Sequence, residues 1–321
     1  MKTHNAGLTS VIVVAADSGP LLYSAVCSAL ASTVRVEVIL VDNASRDGEV
    51  ERVCTAHARE ARLRVLRNES NLGFGPACNR GAALASGDLL VFLNPDGELP
   101  VDALAQIRTV LTASSDIGLL GVDVRNAEGS SARGNRRRAP TLRRALMSMT
   151  GLARFESRWP TLAGVEMLCA SNRGPSLPPP QGVVGGGYDS ATTTLVEDVD
   201  AVSGACMILP CAVFEQLHGF DEGYFLHVED LDLCQRVRDA GYRVALAHAV
   251  HVRHMQGSSS RRRPVFVARH KHRGMWRYFI KFDPAARNPL LRGLVWFGLW
   301  THFVVSAPLL ALKSVLRSRS S

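Results

Sequence analysis

The sequence predicts an α/β protein built on a mostly parallel central sheet. Over the first 125 residues, short apolar runs alternate with helical patterns, as in a chain that lays down strand and helix in turn. The runs are apolar on both faces, which is typical of parallel strands covered by helices on each side. The chain has 321 residues and 46% hydrophobic content, enough to bury a sizeable core.

The elements follow in a regular order. The predicted helices lie around residues 20–32, 47–60 and 75–85, between the strands "SVIVVAA", "VEVILVDN", "LRVLRN" and "DLLVFLNPD". Ligands of such sheets bind at the carboxyl ends of the strands. Two strands end there in polar side chains, Asp42 with Asn43 and Asn94 with Asp96. An Asp at such a turn can bind Mg²⁺ or Mn²⁺, although it can equally serve only as a turn former.

The composition predicts three segments. Residues 1–125 form the α/β half just described, and residues 126–285 form a second, smaller half. The second half contains a Pro/Gly-rich stretch at 171–195, predicted to be a mobile loop, and the predicted strand "VDAVSGACMILP". Residues 286–321 form a basic and apolar tail.

Three carboxylates crowd together in "FLHVEDLDLCQRVRDAGYRV", at Glu229, Asp230 and Asp232. An amphipathic helix begins near this point, with Asp232 and Arg236 spaced to pair along it and Gly241 placed to end it. The acids could simply cap the helix and favour its positive end. Neighbouring aromatic residues would also desolvate Glu229 and Asp230, and a carboxylate with a shifted pKa can act as a general base.

Two further patterns are weaker. "NLGFGPACNRG" contains G-x-G, but Cys78 stands where a dinucleotide-binding motif needs its third glycine. The turn could still admit a nucleotide or sugar, or it could be only a tight turn. His248, His251 and His254 follow closely on one another, and each is more often a packed or solvated histidine than a metal ligand.

The tail contains an apolar stretch at residues 293–312, long enough to cross a bilayer. Because basic residues flank both ends, we expect it to lie in the cytoplasmic leaflet as a monotopic or re-entrant segment. A helix buried against the protein is the alternative. Arginine clusters at 133–144 and 261–263 contribute to a net charge of +8 and suit nucleic acid, an anionic membrane or phosphorylated substrates, unless they are only a solvated surface.

The cysteines and the N-terminus favour the cytoplasm. Seven cysteines show neither paired nor metal-type spacing, which suits a reducing compartment. The first apolar run has only six residues, too short for a signal peptide and consistent with a first buried strand. We therefore expect a cytoplasmic protein, peripheral or monotopic at the inner face of the membrane.

In order, five motifs resemble the inverting glycosyltransferases of family 2, and most closely their bacterial rhamnosyltransferase group. These motifs are "VEVILVDNASRDG", "NLGFGPACNRGAALASGDLLVFLNPDG", "VSGACMILP", "GFDEGYFLHVEDLDLCQRVRDAGYRV" and "HVRHMQGSSS". The resemblance covers roughly residues 10–282. It implies the GT-A fold, a nucleotide-diphosphate sugar donor linked to dTDP or UDP, and a polyprenyl-diphosphate-linked saccharide acceptor.

The resemblance also implies site residues. Asp230 would be the catalytic base, Glu229 would orient the acceptor, and Asp232 would mainly pair along its helix. Asp96 and His254 would bind Mg²⁺ or Mn²⁺. The donor would be bound by these residues: Asp42, Asn43, Asn71, Gly73, Asn79, Asn94 and Asp96. The turn after the first strand, "AADSG", departs from the family pattern, so its contact with the nucleotide is not implied.

Three other functions remain open at this point. A nucleotidyl or other phosphate-handling transferase could use a similar sheet, but the chain has no obvious phosphate-cradling motif. A basic nucleic-acid-binding protein would need aromatic residues among its arginines, and aromatics make up only 6% of the chain. A non-catalytic scaffold related to the family would not need Asp96, Asp230 and His254 together. We therefore expect an enzyme without a nucleic-acid partner.

Overall fold

The structure is a computed structural model that describes residues 4–126, 128–132, 134–167, 196–254 and 263–318, with side chains as far as Leu312. The predicted mobile loop at 171–195 lies outside the described residues, as do Arg133, Arg261 and Arg262 of the arginine clusters.

Strands and helices alternate through the first half as predicted. The strands are β1 Asn5–Ala15, β2 Val36–Asp42, β3 Leu63–Arg67, β4 Gly87–Leu93, β5 Gly97–Glu98, β6 Ile117–Arg125, β7 Arg136–Arg137, β8 Val196–Asp198, β9 Ala201–Val202, β10 Cys206–Pro210 and β11 Arg243–His254. The helices are α1 Leu21–Leu30, α2 Glu49–Ala56, α3 Phe74–Leu84, α4 Ala103–Ala113, α5 Leu142–Met149, α6 Cys211–Gln216, α7 Glu229–Asp239, α8 Pro264–Phe282 and α9 Pro289–Ser318. Short 3₁₀ turns cover Leu152–Phe155, Pro160–Leu162 and Pro284–Arg287.

The main sheet is mostly parallel at one end and mixed at the other. Its order is β3-β2-β1-β4-β10-β6-β11-β5, with β8 beside β11. The first four strands run parallel, β10 runs antiparallel to both of its neighbours, and β6 runs parallel to β11. Strands from residues 1–125 and from residues 126–285 therefore share one sheet, and the division at residue 125 stays a prediction about function.

Two apolar cores lie on opposite faces of this sheet. Alternate residues of β1 divide between them, with Val11 and Val13 facing α1, α2 and α4 and with Ile12 and Val14 facing the other side. The second core takes in α3, α6, α7 and Tyr278 of α8. Because both faces are covered, the strands can be apolar at every position, which is the pattern that the sequence shows.

The predicted boundaries shift around the acidic cluster. Helix α7 begins at Glu229, so all three carboxylates lie inside its first turn. The residue before the helix is Val228, and no side chain caps it. The suggestion that an Asp caps this helix is therefore wrong. Gly241 has φ 87° directly after the last helical turn, so the predicted end of the helix is confirmed.

The C-terminal segment forms a helical hairpin. Helix α9 folds back on α8, where His272 Nε2 lies 3.0 Å from His302 Nδ1. Residues Pro289–Leu312 form the one helix among the described residues that is long and apolar enough to cross a membrane. Its side chains remain mainly exposed, so the alternative of a helix buried in the protein is wrong.

Candidate active site

A polar corner forms where β4 and β11 end. Antiparallel pairing of β11 with β5 aligns His254 with Gly97, and this register sets the imidazole beside the "NPDG" turn. His254 Nε2 lies 3.1 Å from Asp96 Oδ1 and 3.3 Å from Asn94 Nδ2. Asp96 is buried. The corner thus presents carboxylate, amide and imidazole groups together.

The other two histidines of β11 have different partners. His248 Nε2 lies 2.7 Å from Glu197 Oε2, and His251 Nδ1 lies 3.2 Å from Asp123 Oδ2. Neither lies at the polar corner. Sequence spacing could not distinguish the three, because the pairing partner of each position on the strand decides which group it meets.

A cavity of about 440 Å³ opens at this corner. Among the described residues, its wall contains the turn after β1, the 71–74 turn, the "NPD" turn, the segment before α7 and the start of α8. Asn43, Asn71, Gly73, Asn94, Asp96 and His254 are the predicted site residues that line it. The wall thus joins elements from both halves of the chain at the carboxyl ends of β1, β2 and β4.

Asn43 holds the glycine turn in place. Its Nδ2 donates to Asn71 Oδ1 at 2.9 Å and to the Gly73 carbonyl at 3.1 Å. Its Oδ1 accepts from Asn68 Nδ2 and from the Leu72 amide at 2.9 and 3.1 Å. With these contacts and only 2% exposure, Asn43 shapes the cavity wall through the turn that it supports.

Gly73 is required by a close approach of two backbones. It has φ 94°, and the Phe74 amide next to it donates to the Phe225 carbonyl at 2.9 Å. A Cβ at Gly73 would lie 2.4 Å from that carbonyl oxygen. Gly73 therefore allows the two halves of the chain to pack together. The sequence pattern could not distinguish this role from ligand binding.

Two predicted donor-binding residues do not line the cavity. Asp42 accepts from the Ser45 amide at 2.9 Å and from Arg67 Nη1 at 3.0 Å. Asn79 accepts from the Phe220 amide at 2.8 Å, and its Nδ2 donates to the Phe220 carbonyl at 2.9 Å. Asn79 therefore clamps the loop before α7 to α3, a structural task that the sequence did not indicate.

Asp230 is held by Arg137, which no sequence motif singles out. Arg137 Nη2 donates to Asp230 Oδ2 and to the Val202 carbonyl, and the Gly204 amide donates to the same carboxylate oxygen at 3.2 Å. Burial by itself would raise the pKa of Asp230, but the charge and hydrogen bond of Arg137 outweigh it and lower the pKa. Asp230 is therefore a buried carboxylate that stays ionised.

The adjacent Glu229 is in the opposite state. Burial, together with the negative charge of Asp230, raises the pKa of Glu229 from 4.5 to about 8. Its Oε2 is buried and has no hydrogen-bond partner among the described residues. The two neighbours therefore differ in charge at neutral pH, with Glu229 holding a proton that Asp230 lacks.

A short backbone path joins the polar corner to Asp230. The Asn94 amide donates to the Ala205 carbonyl at 2.9 Å, and the neighbouring Gly204 amide donates to Asp230. The turn 203–205 separates β9 from β10, so the predicted single strand "VDAVSGACMILP" is two strands. This interruption lets one turn contact both groups of site residues.

The turn before α7 is strained. His227 and Val228 have φ 65° and 77°, and a left-handed conformation is costly for a β-branched residue. Helix α8 packs on this turn through Gly274, where a Cβ would lie 3.0 Å from the His227 carbonyl oxygen. His227 also lines the cavity, and burial lowers its pKa, which favours the neutral imidazole.

Asp232 pairs as predicted. Its Oδ1 accepts from Arg236 Nε at 2.6 Å, one turn along α7. Its Oδ2 accepts from Lys281 Nζ at 2.6 Å, and the same lysine contacts Asp221 at 2.8 Å. The third carboxylate of the cluster therefore ties α7 to α8, and none of the three carboxylates is among the residues that line the cavity.

Some site residues carried only a weak signal in the sequence. Arg137 belongs to the arginine cluster at 133–144, but nothing there separates it from its neighbours. Asp17 and Ser18 of the "AADSG" turn line the cavity, although they depart from the family pattern. His227 stands two residues before Glu229, so its closeness to the acidic cluster was the available signal.

Comparison with protein families identifies the chain. Residues 10–166 match the family described as "Glycosyl transferase family 2", and residues 188–277 match "Glycosyltransferase like family 2". The chain belongs to glycosyltransferase family 2. The predicted family and enzyme class are confirmed, and the two matched segments include both the polar corner and the acidic cluster.

Among characterised relatives of this family 2 glycosyltransferase are two rhamnosyltransferases. The N-acetylglucosaminyl-diphospho-decaprenol L-rhamnosyltransferase of Mycobacterium tuberculosis is 27% identical over 322 residues, covering 93% of each chain. A rhamnosyltransferase of Escherichia coli is 41% identical over 64 residues, which cover 19% of this chain and 24% of that protein. These matches support the predicted rhamnosyltransferase-like group.

Solved structures confirm the GT-A fold. The mannosyltransferase of Pyrobaculum calidifontis in complex with GDP-Man and Mn²⁺ superposes with a TM-score of 0.52 at 17% identity, covering 98% of this chain and 75% of that one. GalNAc-T7 with UDP, GalNAc and Mn²⁺ superposes with a TM-score of 0.55 at 18% identity, covering 78% of this chain. This family 2 glycosyltransferase spans only 44% of the GalNAc-T7 chain.

Proposed function

We propose that this family 2 glycosyltransferase transfers a rhamnosyl residue from a dTDP- or UDP-linked donor to a saccharide carried on a polyprenyl diphosphate. The observation that carries the proposal is the single backbone turn, 203–205, that contacts both the polar corner and Asp230. The Mycobacterium tuberculosis relative, which matches over 93% of both chains, supports the sugar and the class of acceptor.

The polar corner fits a divalent cation. Asp96 Oδ1 and His254 Nε2 lie 3.1 Å apart on the cavity wall, so both can face one ion. Oxygen and imidazole donors suit Mn²⁺, and the carboxylate also suits Mg²⁺. Two of the similar solved structures contain Mn²⁺. Asp96 and His254 would hold the ion, which when bound neutralises charge on the donor diphosphate.

Other residues of the chain bind the donor, orient His254 and accept a proton. The 71–74 turn, supported by Asn43, forms the wall against which the nucleoside diphosphate binds, and Asn94 orients His254. Asp230 accepts the proton of the acceptor hydroxyl. The hydroxyl oxygen then bonds to the anomeric carbon while the bond from that carbon to the diphosphate oxygen breaks, which inverts the configuration.

Arg137 and Glu229 influence how Asp230 acts as a base. Arg137 keeps Asp230 ionised but also weakens it as a base, so we propose that the acceptor draws Arg137 away through its own negative charge. Glu229, protonated at neutral pH, can donate a hydrogen bond to an acceptor oxygen through its unpartnered carboxyl. Acceptor binding and base activation are then coupled.

The α8–α9 hairpin supports a place at the inner face of the cytoplasmic membrane. The outer face of α9 exposes large apolar side chains, including Leu294 and Phe297 at 66% and 65%. Because α9 packs along the basic helix α8, a segment lying on the bilayer suits the hairpin better than a crossing. A lipid-linked acceptor would reach the enzyme from that surface.

Calorimetric titration with TDP and UDP tests the donor site, in Mg²⁺, in Mn²⁺ and in EDTA. We expect metal-dependent binding in the wild type and its loss in Asp96→Ala and His254→Ala. Asp102→Ala is the matched control, since this acid precedes α4 and does not line the cavity. Binding of neither nucleotide under any metal condition would contradict the proposal.

Transfer assays then test the base. With dTDP-rhamnose and a polyprenyl-diphosphate-linked N-acetylglucosamine, we expect Asp230→Asn to retain nucleotide binding and to lose transfer. Asp230→Asn keeps the side-chain shape and removes the proton acceptor. Transfer at the wild-type rate by a folded Asp230→Asn enzyme would contradict the assignment of the base.

A further inference from the structure

Residues 142–159 present an apolar stripe that the proposed reaction does not use. Helix α5, the 3₁₀ turn after it and the residues that lead to the second 3₁₀ turn carry a large apolar side chain at every third or fourth position. These side chains are 38 to 55% exposed, and they belong to Leu146, Met149, Leu152, Phe155 and Trp159. Helix α5 has no buried residue. We call this stripe, with the arginines beside it, the 142–159 surface.

The charge around the stripe is positive. Arg154 lies over the ring of Phe155 and Arg158 over that of Trp159, at 4.7 and 5.4 Å. Arg143 is exposed on α5, and no carboxylate pairs with any of these three arginines among the described residues. The one acid of the segment, Glu156, is engaged by Arg138 at 3.1 Å. The surface therefore combines exposed apolar and aromatic groups with uncompensated positive charge.

The 142–159 surface begins where the C-terminal hairpin turns. Asp283 Oδ2 accepts from the Leu142 amide at 2.7 Å, at the first residue of α5. Asp283 Oδ1 accepts from the Ala285 amide at 2.9 Å, at the start of the turn that leads into α9. The Asp283 carboxylate thus links the turn before the apolar helix α9 to the N-terminus of α5.

We propose that the 142–159 surface is a second membrane-docking element, which binds the headgroup region of an anionic bilayer beside α9. Aromatic and aliphatic side chains backed by arginines have the composition that suits an anionic lipid interface. The inference rests on the proposed function, because it adds how the enzyme meets a lipid-linked acceptor. Strand β7 contains Arg137, and only residues 138–141 separate this arginine, which holds Asp230, from α5.

Fluorescence of Trp159 in the full chain tests the proposal. Trp276→Phe, Trp296→Phe and Trp300→Phe leave Trp159 as the sole tryptophan. The protein is mixed with phosphatidylcholine vesicles with or without phosphatidylglycerol, each containing lipids brominated on the acyl chain. With phosphatidylglycerol present we expect a blue shift and loss of about half or more of the Trp159 emission, because the side chain enters the interface.

A second tryptophan position provides the matched control. Val101 is 53% exposed and accepts a backbone hydrogen bond from Thr33, which precedes β2 and so lies at the opposite end of the sheet from the cavity. With Val101→Trp and Trp159→Phe in the same background, we expect no quenching. Cosedimentation verifies that each variant is bound to the vesicles. A bound protein whose Trp159 is not quenched overturns the proposal.

Charge is tested with two triple variants of equal charge. Arg143→Gln, Arg154→Gln and Arg158→Gln should reduce quenching of Trp159 and remove its dependence on phosphatidylglycerol. Arg35→Gln, Arg59→Gln and Arg80→Gln, at exposed positions of the first half, should change neither. Equal quenching in vesicles with and without phosphatidylglycerol overturns the proposal of an anionic partner.

Failure of this proposal and failure of the proposed function are distinguishable. The arginine variants should bind UDP or TDP as the wild type does, since none of the three residues lines the cavity. A protein that docks through Trp159 but binds no nucleotide would contradict the sugar-transfer proposal alone. Emission of Trp159 that is already blue-shifted in solution and unchanged by vesicles would mean that the chain itself covers the stripe, which overturns the docking proposal.

Discussion

Two adjacent carboxyl groups at the start of α7 differ because their partners differ. Asp230 faces Arg137 and the Gly204 amide, whereas Glu229 has a buried oxygen without a partner. A buried ion pair offsets its cost of desolvation only when its geometry and hydrogen bonds are good. The pair at Asp230 meets that condition, and Glu229 instead keeps its proton. The acid–base chemistry of the site therefore depends on Arg137.

Changing Arg137 should move the pH dependence of transfer. Arg137 lowers the pKa of Asp230 in the free enzyme, so Arg137→Gln should raise that pKa and shift the acidic limb of the kcat/KM profile to higher pH. Arg137→Lys keeps a positive charge, so the acidic limb of the profile should stay near the pH at which the wild type shows it. The measurement is the transfer rate between about pH 5 and 9.

The same change should cost stability. Removing one partner of a buried pair costs about 3–5 kcal/mol, so thermal unfolding of each Arg137 variant is the control for folding. An unshifted acidic limb in a folded Arg137→Gln enzyme would contradict the proposed influence of Arg137 on the base.

Glu229 should make the protein less stable as the pH rises. Its pKa is about 8 in the folded state and near 4.5 in the unfolded chain, so between these values the folded state holds one more proton. The free energy of unfolding then falls with rising pH by up to about 1.4 kcal/mol per unit. Glu229→Gln should flatten that slope. Urea unfolding at a series of pH values measures it, and an equal slope in both proteins would contradict a protonated Glu229.

At the scale of elements, contact between the two halves of the chain depends on backbones that approach closely. Gly73 meets the Phe225 carbonyl, and Gly274 of α8 meets the strained turn at His227 and Val228. Lys281 of α8 then pairs with both Asp221 and Asp232. Helix α8, which leads to α9, therefore holds the turn that precedes Glu229 and Asp230.

Two glycines at positive φ differ in what a side chain would meet. Gly48→Ala places an alanine in the left-handed region, which costs about 1–2 kcal/mol, whereas Gly73 has ψ 173°, in a region that is essentially confined to glycine. A Cβ at Gly48 would have nothing within 4 Å, whereas at Gly73 it would overlap the Phe225 carbonyl. We expect Gly73→Ala to lose more stability and also nucleotide binding, and Gly48→Ala to keep binding. Chemical unfolding and calorimetry measure the two effects, and equal losses would contradict the importance of the Phe225 contact.

At the scale of the whole molecule, the acidic cluster and the proposed membrane-facing groups are connected. The α8–α9 hairpin reaches the acidic cluster through Lys281 and reaches α5 through Asp283. The net charge of +8 suits an anionic surface, and the apolar side chains of α9 face outward. The chain is thus built so that the site and the proposed membrane contacts form one body.

Removing the apolar outer face of α9 should release the enzyme from membranes. We expect Leu294→Ser, Phe297→Ser, Val304→Ser and Val305→Ser together to reduce cosedimentation with vesicles strongly, since burial of each side chain contributes about 1.5–3 kcal/mol. Val65→Ser and Val101→Ser, at exposed apolar positions elsewhere, are the control. Nucleotide binding should survive in both. Unchanged cosedimentation would contradict membrane association through α9.

The sequence by itself determined the layered α/β fold, the family and the two residues of the polar corner that follow β4, Asn94 and Asp96. Hydrophobic periodicity records which faces are covered, and short motifs record which polar groups end each strand, because both depend on neighbours along the chain. The place of Asn94 and Asp96 at the end of a strand and the pairing of Asp232 with Arg236 were therefore predictable.

Only the tertiary structure decided which groups meet across long separations. It chose His254 over His248 and His251 through the register of β11, and it brought Arg137 to Asp230 through the pairing of β7 with β9. The tertiary structure also places Asn79 in contact with the loop before α7 and not on the cavity wall. The charge of Glu229 and Asp230 followed from those contacts. Pairing and burial depend on the whole fold, and the order of residues along one segment does not record them.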